Sequence, residues 1–279
     1  MRVIDAHQHF WSLATPGHEW PTPAEAAIHR DFGPSDLRAA AAGRVPLASS
    51  VLVQSQPTDT DTDWMLALAA ATPEIAAVVG WVDLASPDAP ARIARLAAAP
   101  KLRSLRPMLQ SIEDTDWLLR GELTPAIQAM VDHGLRLDAL IQPRHLPMLA
   151  RFAERWPALP IVIDHAAKPY AAQRELDPWR TDIAALADMG LWCKLSGLRT
   201  EQATGQPAEA LRPYVDHLLA CFGDRLMWGS DWPVLCLSGD SYCDWYEDAL
   251  QLTGLSGERQ ARLFAGAATQ FYALGEDDA

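Results

Sequence analysis

Short runs of β-forming residues alternate with alanine-rich and leucine-rich helical stretches along nearly the whole chain. This alternation is typical of repeated βα units, which build a parallel sheet. Continuous apolar runs such as Ile161-Val162-Ile163 favour a sheet that is covered on both faces. Eight strands are predicted, at residues 3–7, 50–54, 78–82, 104–107, 136–140, 161–164, 191–195 and 226–228.

Eight helical windows separate or follow these strands, at residues 36–42, 63–71, 89–98, 125–133, 145–156, 179–189, 209–221 and 242–252. Several begin with residues preferred at a helix start, such as Pro34-Ser35 and Thr124-Pro125. Because 279 residues fit one eight-stranded barrel, we expect a single (β/α)8 TIM barrel domain of the α/β class over residues 1–279. An open doubly wound sheet shows a similar alternation, so the pattern alone leaves closure open.

The composition indicates a globular protein with small partners. Hydrophobic residues make up 49% of the chain and charged residues 21%, which provides enough apolar surface for a core. The net charge of -13 and the pI near 4.9 repel phosphate backbones and acidic lipid surfaces, so we expect no nucleic acid and no membrane as partner. An anionic small substrate stays possible, because a few buried cations dominate the potential inside a pocket.

The chain start and the cysteines indicate a cytoplasmic protein. Asp5 interrupts the apolar run that a signal peptide requires, and no window reaches 18 apolar residues. The four cysteines form no C-x-x-C pair, so neither a disulfide framework nor a cysteine zinc site is predicted. The oligomeric state is left open.

Two long stretches interrupt the alternation, residues 12–32 and 166–178. Each directly follows a strand that carries histidine, so both are candidates for lids over a site. The acidic run Glu276-Asp277-Asp278 predicts a solvated chain end.

The first strand carries the pair His7 and His9. Residues two apart on a strand point to the same side, and that side is expected to include Asp5 as well. In a barrel this side is the interior, with both imidazoles at the carboxyl end, where barrel active sites lie. Two satisfied core histidines, or a surface pair, would show the same spacing.

Two other strands end in ionisable residues. Residues 161–163 run into His165, and residues 226–228 run into Asp231. Gly229 permits a close backbone approach and Pro233 stops the strand, so Asp231 is expected on a sharp turn at the same rim. A helix N-cap aspartate and a packed histidine are the alternatives.

Together these motifs resemble the amidohydrolase superfamily. More narrowly, they resemble its branch of lactonases, which includes L-fuconolactonase-like, L-rhamnonolactonase-like and 2-pyrone-4,6-dicarboxylate lactonase-like enzymes. The resemblance extends from the first strand to the closing Phe271-Tyr272-Ala273-Leu274. It rests on Ile4-Asp5-Ala6-His7-Gln8-His9-Phe10-Trp11, Ile163-Asp164-His165 with Lys168-Pro169, Cys193-Lys194-Leu195-Ser196-Gly197 and Met227-Trp228-Gly229-Ser230-Asp231-Trp232-Pro233.

The resemblance implies a (β/α)8 barrel hydrolase and leaves its metal content open. Many superfamily members bind divalent metals with the equivalents of His7, His9 and Asp231 and with histidines of the fifth and sixth strands. Here the fifth strand runs into Gln142 without a histidine, and only the sixth supplies one, His165. These four residues would make a zinc site. Because lactonases of this branch include metal-independent members, we expect no required cofactor.

Catalysis without a metal assigns a role to each of the four residues. In lactone hydrolysis the carbonyl oxygen gains negative charge, and hydrogen-bond donors aimed at it stabilise that charge. His7, His9 and His165 are expected to polarise the carbonyl, while Asp231 deprotonates water and returns the proton to the leaving alkoxide. No Gly-x-Ser-x-Gly elbow is present, which argues against a serine hydrolase.

The expected substrate is a sugar-acid lactone such as L-fuconolactone or L-rhamnonolactone. A dicarboxylate lactone would need two cationic clamps. Arg106 and Arg199 are the candidates, whereas Arg103, three residues before Arg106, is expected to face away, so a neutral lactone is preferred. A zinc-dependent amidohydrolase or decarboxylase, a dicarboxylate lactonase and a non-catalytic binding barrel are the alternative functions. The expected substrate-binding residues are Arg106, Lys194, Gln54, Trp11, Trp81 and Trp232.

Overall fold

The computed structural model describes residues 2–275 and is centred on one eight-stranded parallel sheet in the order β1-β2-β3-β4-β5-β6-β7-β8. All eight predicted strands are present, with ends that differ from the prediction by at most three residues. The acidic run at 276–278 lies outside the described residues. The strands are β1 (Val3–Gln8), β2 (Leu47–Val53), β3 (Ile75–Gly80), β4 (Leu102–Leu105), β5 (Arg136–Ala139), β6 (Ile161–Ile163), β7 (Trp192–Leu195) and β8 (Leu226–Trp228).

Helices follow the strands, as predicted. Helix α2 begins four residues before its prediction because the Thr58 side chain accepts a hydrogen bond from the backbone N–H of Asp61 and caps it. No helix in the described part of the chain is long and apolar enough to cross a membrane. The eight outer helices are α1 (Pro34–Ala41), α2 (Asp59–Ala71), α3 (Ala89–Leu96), α4 (Thr124–Asp132), α5 (Leu146–Arg155), α6 (Trp179–Asp188), α7 (Arg212–Phe222) and α8 (Tyr242–Thr253).

Hydrogen bonds just beyond β8 close the sheet into a barrel. Gln8 and Trp232 form a parallel bridge, and the backbone N–H of His9 donates to the carbonyl of Trp232 at 2.8 Å. The backbone N–H of Asp231 donates to the carbonyl of His7 at 2.7 Å. Because the last strand returns to the first, the predicted TIM barrel is confirmed and the open doubly wound sheet is excluded.

A bulge in β1 changes which side chains enter the barrel. The register against β2 shifts between Asp5 and Gln8, and a bulge interrupts the alternation of faces. Asp5 accepts a hydrogen bond from Tyr242 of α8 in the outer layer, while His7 faces the interior. The expectation that Asp5 shares the side of His7 and His9 is therefore wrong. The interior cluster contains Ile4, Ala6, Val51, Val53, Ala77, Val79, Val162 and Met227.

A C-terminal helical segment that the sequence pattern did not reveal packs under the barrel. Helix α9 (Gly257–Ala261), a π-helical turn (Arg262–Gly266) and helix α10 (Ala267–Tyr272) follow one another. Phe271 and Tyr272 join the interior cluster, and Arg136 at the start of β5 donates to the carbonyl of Phe271. The π-helical turn interrupts the 3.6-residue periodicity on which helix prediction depends.

Gly229 is the tightest point of the closing seam. A Cβ at this position would lie 2.8 Å from the Cβ of His7 and 3.0 Å from its backbone nitrogen. We expect Gly229→Ala to lower the free energy of unfolding by about 1–3 kcal/mol, because overpacking there forces β1 and β8 apart. Urea unfolding measures this, with Gly121→Ala as control, since a Cβ at Gly121 meets nothing within 4 Å. Equal losses in the two variants would contradict the prediction.

Candidate active site

A cavity of about 470 Å³ opens at the carboxyl ends of the strands. Its lining includes His9, Arg106, His165, Lys168 and Asp231. A second cavity, of about 260 Å³, lies between α1 and strands β2 and β3, and no histidine lines it. The rim cavity is the candidate active site because His9, His165 and Asp231 line it.

The four predicted catalytic residues converge at this rim. The Nε2 atoms of His7 and His9 are 3.2 Å apart. Asp231 Oδ1 lies 3.4 Å from Nε2 of His9 and 3.8 Å from Nε2 of both His7 and His165. All four side chains are buried. The side chains that follow β1, β6 and β8 thus form one centre.

His165 and Asp231 are held in unusual backbone conformations. Asp231 has φ 57°, and the four consecutive residues from His165 to Lys168 have φ between 50° and 60°. The left-handed conformation costs about 1–2 kcal/mol for each non-glycine residue. At Gly197 a Cβ would lie 2.5 Å from Nδ1 of His165, so only glycine leaves room for this imidazole. Such strain in a cavity wall is typical of functional sites.

The centre combines neutral imidazoles with an ionised carboxylate. Burial and the nearby Lys194 lower the pKa of His7 well below its usual 6.5, and burial likewise lowers that of His165. Burial acts to raise the pKa of Asp231, but His165 and His9 outweigh it, so this pKa lies below its ordinary value. Near neutral pH, Asp231 is a base and His7 and His165 are uncharged.

Three ligand atoms, Nε2 of His7, Nε2 of His9 and Oδ1 of Asp231, are spaced to fit one divalent cation. Ligand atoms about 2.1 Å from a tetrahedral zinc ion lie roughly 3.4 Å from one another, close to the 3.2–3.8 Å found between these three. His7, His9 and Asp231 form one group able to hold an ion, and His7, Asp164 and His165 form another. The predicted zinc alternative is therefore sterically possible with these residues.

A layer of buried charges lies directly beneath the centre. Lys194 Nζ contacts Asp138 Oδ2 at 2.5 Å, Asp164 Oδ1 at 2.9 Å and His7 Nδ1 at 3.1 Å. Tyr272 donates a hydrogen bond to the same Asp138 oxygen. Asp138 and Asp164 were not among the predicted site residues. The signal available in the sequence was a carboxylate within, or directly after, an apolar strand.

The predicted substrate-binding residues divide into three groups. Arg106 lines the cavity, and Gln54 supports it by accepting hydrogen bonds from the guanidinium through its backbone and side-chain oxygens. Lys194 lies below the cavity in the charged layer. The predicted aromatic wall does not face the cavity. Trp11 and Trp232 are buried against Phe32, and none of Trp11, Trp81 and Trp232 lines the cavity.

The long loop at 12–32 contributes a cavity wall that the sequence reading missed. Trp20 and Glu19 of this loop line the cavity. The buried amide of Gln56 holds them there, accepting hydrogen bonds from the backbone N–H groups of Glu19 and Trp20 and donating to the carbonyl of Trp20. The other predicted lid, at 166–178, supplies Lys168. Both loops thus contribute residues to the cavity lining.

Sequence comparison identifies the family. A family model described as amidohydrolase matches residues 4–274. The chain belongs to the amidohydrolase family. Two L-fucono-1,5-lactonases are similar to it: that of Burkholderia ambifaria is 47% identical over 97% of this chain and 95% of its own length, and that of Burkholderia multivorans is 34% identical over 98% and 96%. The predicted family is thereby confirmed.

Structural comparison agrees with this assignment. The crystal structure of an amidohydrolase from Burkholderia multivorans with bound zinc is 32% identical and superimposes with a TM-score of 0.91. The superposition covers 99% of this chain and 100% of the other. The barrel fold of this amidohydrolase is thus shared along its length.

Asp5 anchors the turn that carries Asp231. Its carboxylate accepts hydrogen bonds from the backbone and hydroxyl of Ser230, at 2.8 and 2.6 Å, and from Tyr242 and the backbone of His7, both at 3.1 Å. Burial raises the pKa of Asp5 to about 6, although these four hydrogen bonds act in the opposite direction. Folding therefore favours the protonated form of this carboxyl group.

This shift predicts a pH-dependent stability. The pKa of Asp5 is about 6 when folded, against an ordinary 3.8, so its contribution is fully present below about pH 4 and lost as pH rises through 6. Two pKa units correspond to about 3 kcal/mol. We expect the unfolding free energy of wild type, relative to Asp5→Asn, to fall by about this amount between pH 4 and 7 in urea titrations. A difference that stays constant with pH would refute the prediction.

Proposed function

We propose that this amidohydrolase hydrolyses a neutral sugar-acid lactone of the L-fucono-1,5-lactone type. The observation that carries the proposal is the convergence of ionised Asp231 with three imidazoles in a rim cavity. The name of the Burkholderia ambifaria relative, 47% identical along almost its whole length, supports the substrate class. L-Rhamnonolactone belongs to the same class and is the alternative substrate.

The charges of the cavity favour a neutral lactone over a dicarboxylate. Arg106 and Lys168 are the two cationic residues in the described lining. The guanidinium of Arg106 contacts the oxygens of Gln54 and lies 3.5 Å from Asp164, and Lys168 pairs with Glu201 at 3.2 Å. Two carboxylates of a substrate would compete with these existing partners. A polyhydroxylated ring instead needs hydrogen-bonding groups, which Glu19 and the other polar residues of the cavity lining supply.

In the proposed mechanism Asp231 activates the attacking water. Its lowered pKa leaves the carboxylate ready to accept a proton at neutral pH. Water then adds to the lactone carbonyl as its proton passes to Asp231. When the tetrahedral intermediate collapses, the ring C–O bond breaks and the same proton goes to the departing alkoxide. The hydroxy acid leaves, and Asp231 is ionised again.

Two N–H groups are the proposed stabilisers of the carbonyl oxygen. Nε of Arg106 is buried, lies in a residue that lines the cavity, and has no hydrogen-bond partner in the described structure. His165 can accept a hydrogen bond from Ser196 through Nδ1, at 2.9 Å, which leaves its proton on Nε2 beside Asp231. Donors preset around a developing oxyanion are usually a large catalytic contribution.

His9 receives a different role from the one expected. Its Nδ1 lies 2.8 Å from the carbonyl of Val53, which can only accept a hydrogen bond. In neutral His9 the proton is therefore on Nδ1, and Nε2 presents a lone pair to the centre. We assign it as a hydrogen-bond acceptor within the centre rather than as a donor to the carbonyl.

A cation at this centre would be held by His7, His9 and Asp231, and it would supply Lewis-acid polarisation of the carbonyl. A zinc-dependent amidohydrolase or decarboxylase is therefore the second candidate function, favoured by the close spacing of these three ligand atoms. The proposed roles of Arg106 and of the proton on Asp231 do not require the cation.

Replacement of Asp231 tests the proposed chemistry. We expect wild-type protein to hydrolyse L-fucono-1,5-lactone in a pH-indicator assay with or without chelator, and Asp231→Asn to lose about 10²–10⁴-fold in kcat. The exposed Asp188→Asn is the matched control. Wild-type activity abolished by chelator and restored by zinc would favour the second candidate. Full activity in Asp231→Asn would refute the mechanism.

Arg106 and Arg103 offer a matched pair, since both belong to the β4 region but only Arg106 lines the cavity. We expect Arg106→Lys to lower kcat about 10²–10³-fold, because lysine keeps the charge but has no Nε–H. Steady-state kinetics should show little change in Arg103→Lys. A rise in KM alone would reassign Arg106 from oxyanion stabilisation to ground-state binding.

A further inference from the structure

Lys194 occupies a position that a substrate-binding lysine would not. Its ammonium group is completely buried on β7 and does not line the cavity. It lies instead between the cavity floor and the aromatic ring of Tyr272, which is 5.6 Å away. The proposed hydrolysis gives this lysine no role, and a buried charge without a function is costly to retain.

The contacts of Lys194 match the hydrogens of an ammonium group. Such a group has three N–H donors and no acceptor. Nζ has three acceptors within reach, Asp138 Oδ2 at 2.5 Å, Asp164 Oδ1 at 2.9 Å and His7 Nδ1 at 3.1 Å. The two carboxylates require the charged form, and the third hydrogen then points at His7. Nδ1 of His7 must therefore present its lone pair.

The alternative partner of His7 Nδ1 is weaker. Asp164 Oδ1 lies 3.5 Å from this nitrogen, beyond the usual 2.7–3.2 Å of an N–H···O hydrogen bond. With its lone pair at Nδ1, a neutral imidazole carries its proton on Nε2. That N–H faces the Nε2 lone pair of His9 at 3.2 Å, which the Val53 carbonyl leaves unprotonated, whereas the guanidinium of Arg106 lies farther from it, at 3.5 Å. The two imidazoles are thus complementary as donor and acceptor.

We propose that Lys194 is a positioning residue that holds His7 in its Nε2–H tautomer, which orients His9 and makes His7 a poor ligand for a divalent cation. Metal-bound histidines generally donate their second N–H to a carboxylate or carbonyl, as His9 does to Val53. In His7 the second ring nitrogen, Nδ1, instead faces the ammonium group of Lys194. To bind a cation through Nε2, it must move its proton to Nδ1 and lose the contact with Lys194.

The tautomer can be read directly in the wild-type enzyme. Long-range ¹H–¹⁵N correlation spectra of metal-free protein, with the imidazole signals linked to the assigned backbone of His7, distinguish a protonated from an unprotonated ring nitrogen. We expect protonated Nε2 and unprotonated Nδ1 in His7, and the reverse in His9. A proton on Nδ1 of His7 would overturn the proposal. This measurement requires neither a substrate nor a variant that folds.

Zinc titration of two lysine variants tests the consequence. We expect Lys194→Met to bind zinc alone about 10- to 100-fold more tightly than wild type by calorimetry, the range typical of groups that contact metal ligands. The control is Lys101→Met, since the Lys101 amine binds the carbonyls of Ala69 and Thr72 far from the site. Unchanged zinc affinity in folded Lys194→Met would contradict the proposal, and equal gains in both variants would do so as well.

The role of Lys194 in turnover rests on the proposed function, but the tautomer and zinc-affinity measurements do not. If no lactone is hydrolysed while His7 has the expected tautomer, the substrate assignment fails and the role of Lys194 remains. If the lactone is hydrolysed while Nδ1 of His7 is protonated, the substrate assignment remains and the proposed role of Lys194 fails. Lys194→Met is further expected to lower kcat more than it raises KM in metal-free protein, because it touches His7 and not the cavity.

Discussion

Closure of the barrel depends on backbone hydrogen bonds that lie beyond the last strand. β8 has only three residues, and the turn after it reaches β1 through the N–H of Asp231 and the carbonyl of Trp232. Those bonds place the Asp231 carboxylate 3.4 Å from His9. The same hydrogen bonds therefore close the barrel and position Asp231 in the site, and at this seam Gly229 has no space for a side chain beside His7.

The second constraint is electrostatic. Buried charges are tolerated when they are paired, and each charge beneath the cavity has an ion-pair partner. Lys194 in this layer, together with Arg106 in the cavity lining, balances Asp138 and Asp164. Ser104 and Tyr272 donate further hydrogen bonds to Asp138. This layer connects the interior of the barrel to the imidazoles above it, so loss of one member would leave another buried charge unpaired.

The residues at the rim were predictable because their positions follow from where the strands end in the sequence. His9, His165 and Asp231 each come at the end of a buried strand, and parallel strands in a barrel all end on the same edge. The side on which Asp5 lies was not predictable, since a one-residue bulge reverses faces and leaves no signal in composition. Trp20 was missed because its loop has no periodicity, and its position depends on hydrogen bonds with Gln56, 36 residues away in the chain.

The charges also explain why one centre suits two chemistries. The four buried ions Arg106, Lys194, Asp138 and Asp164 sum to zero, whereas the ion-pair partners of Asp231 within 4 Å in the described chain are histidines alone. Because His7 and His165 are neutral, Lys168 and the imidazole dipoles together compensate only part of the negative charge of Asp231. Such a carboxylate attracts either a proton from water or a cation. The proton on His7, set by the ammonium below it, then decides how readily the cation competes.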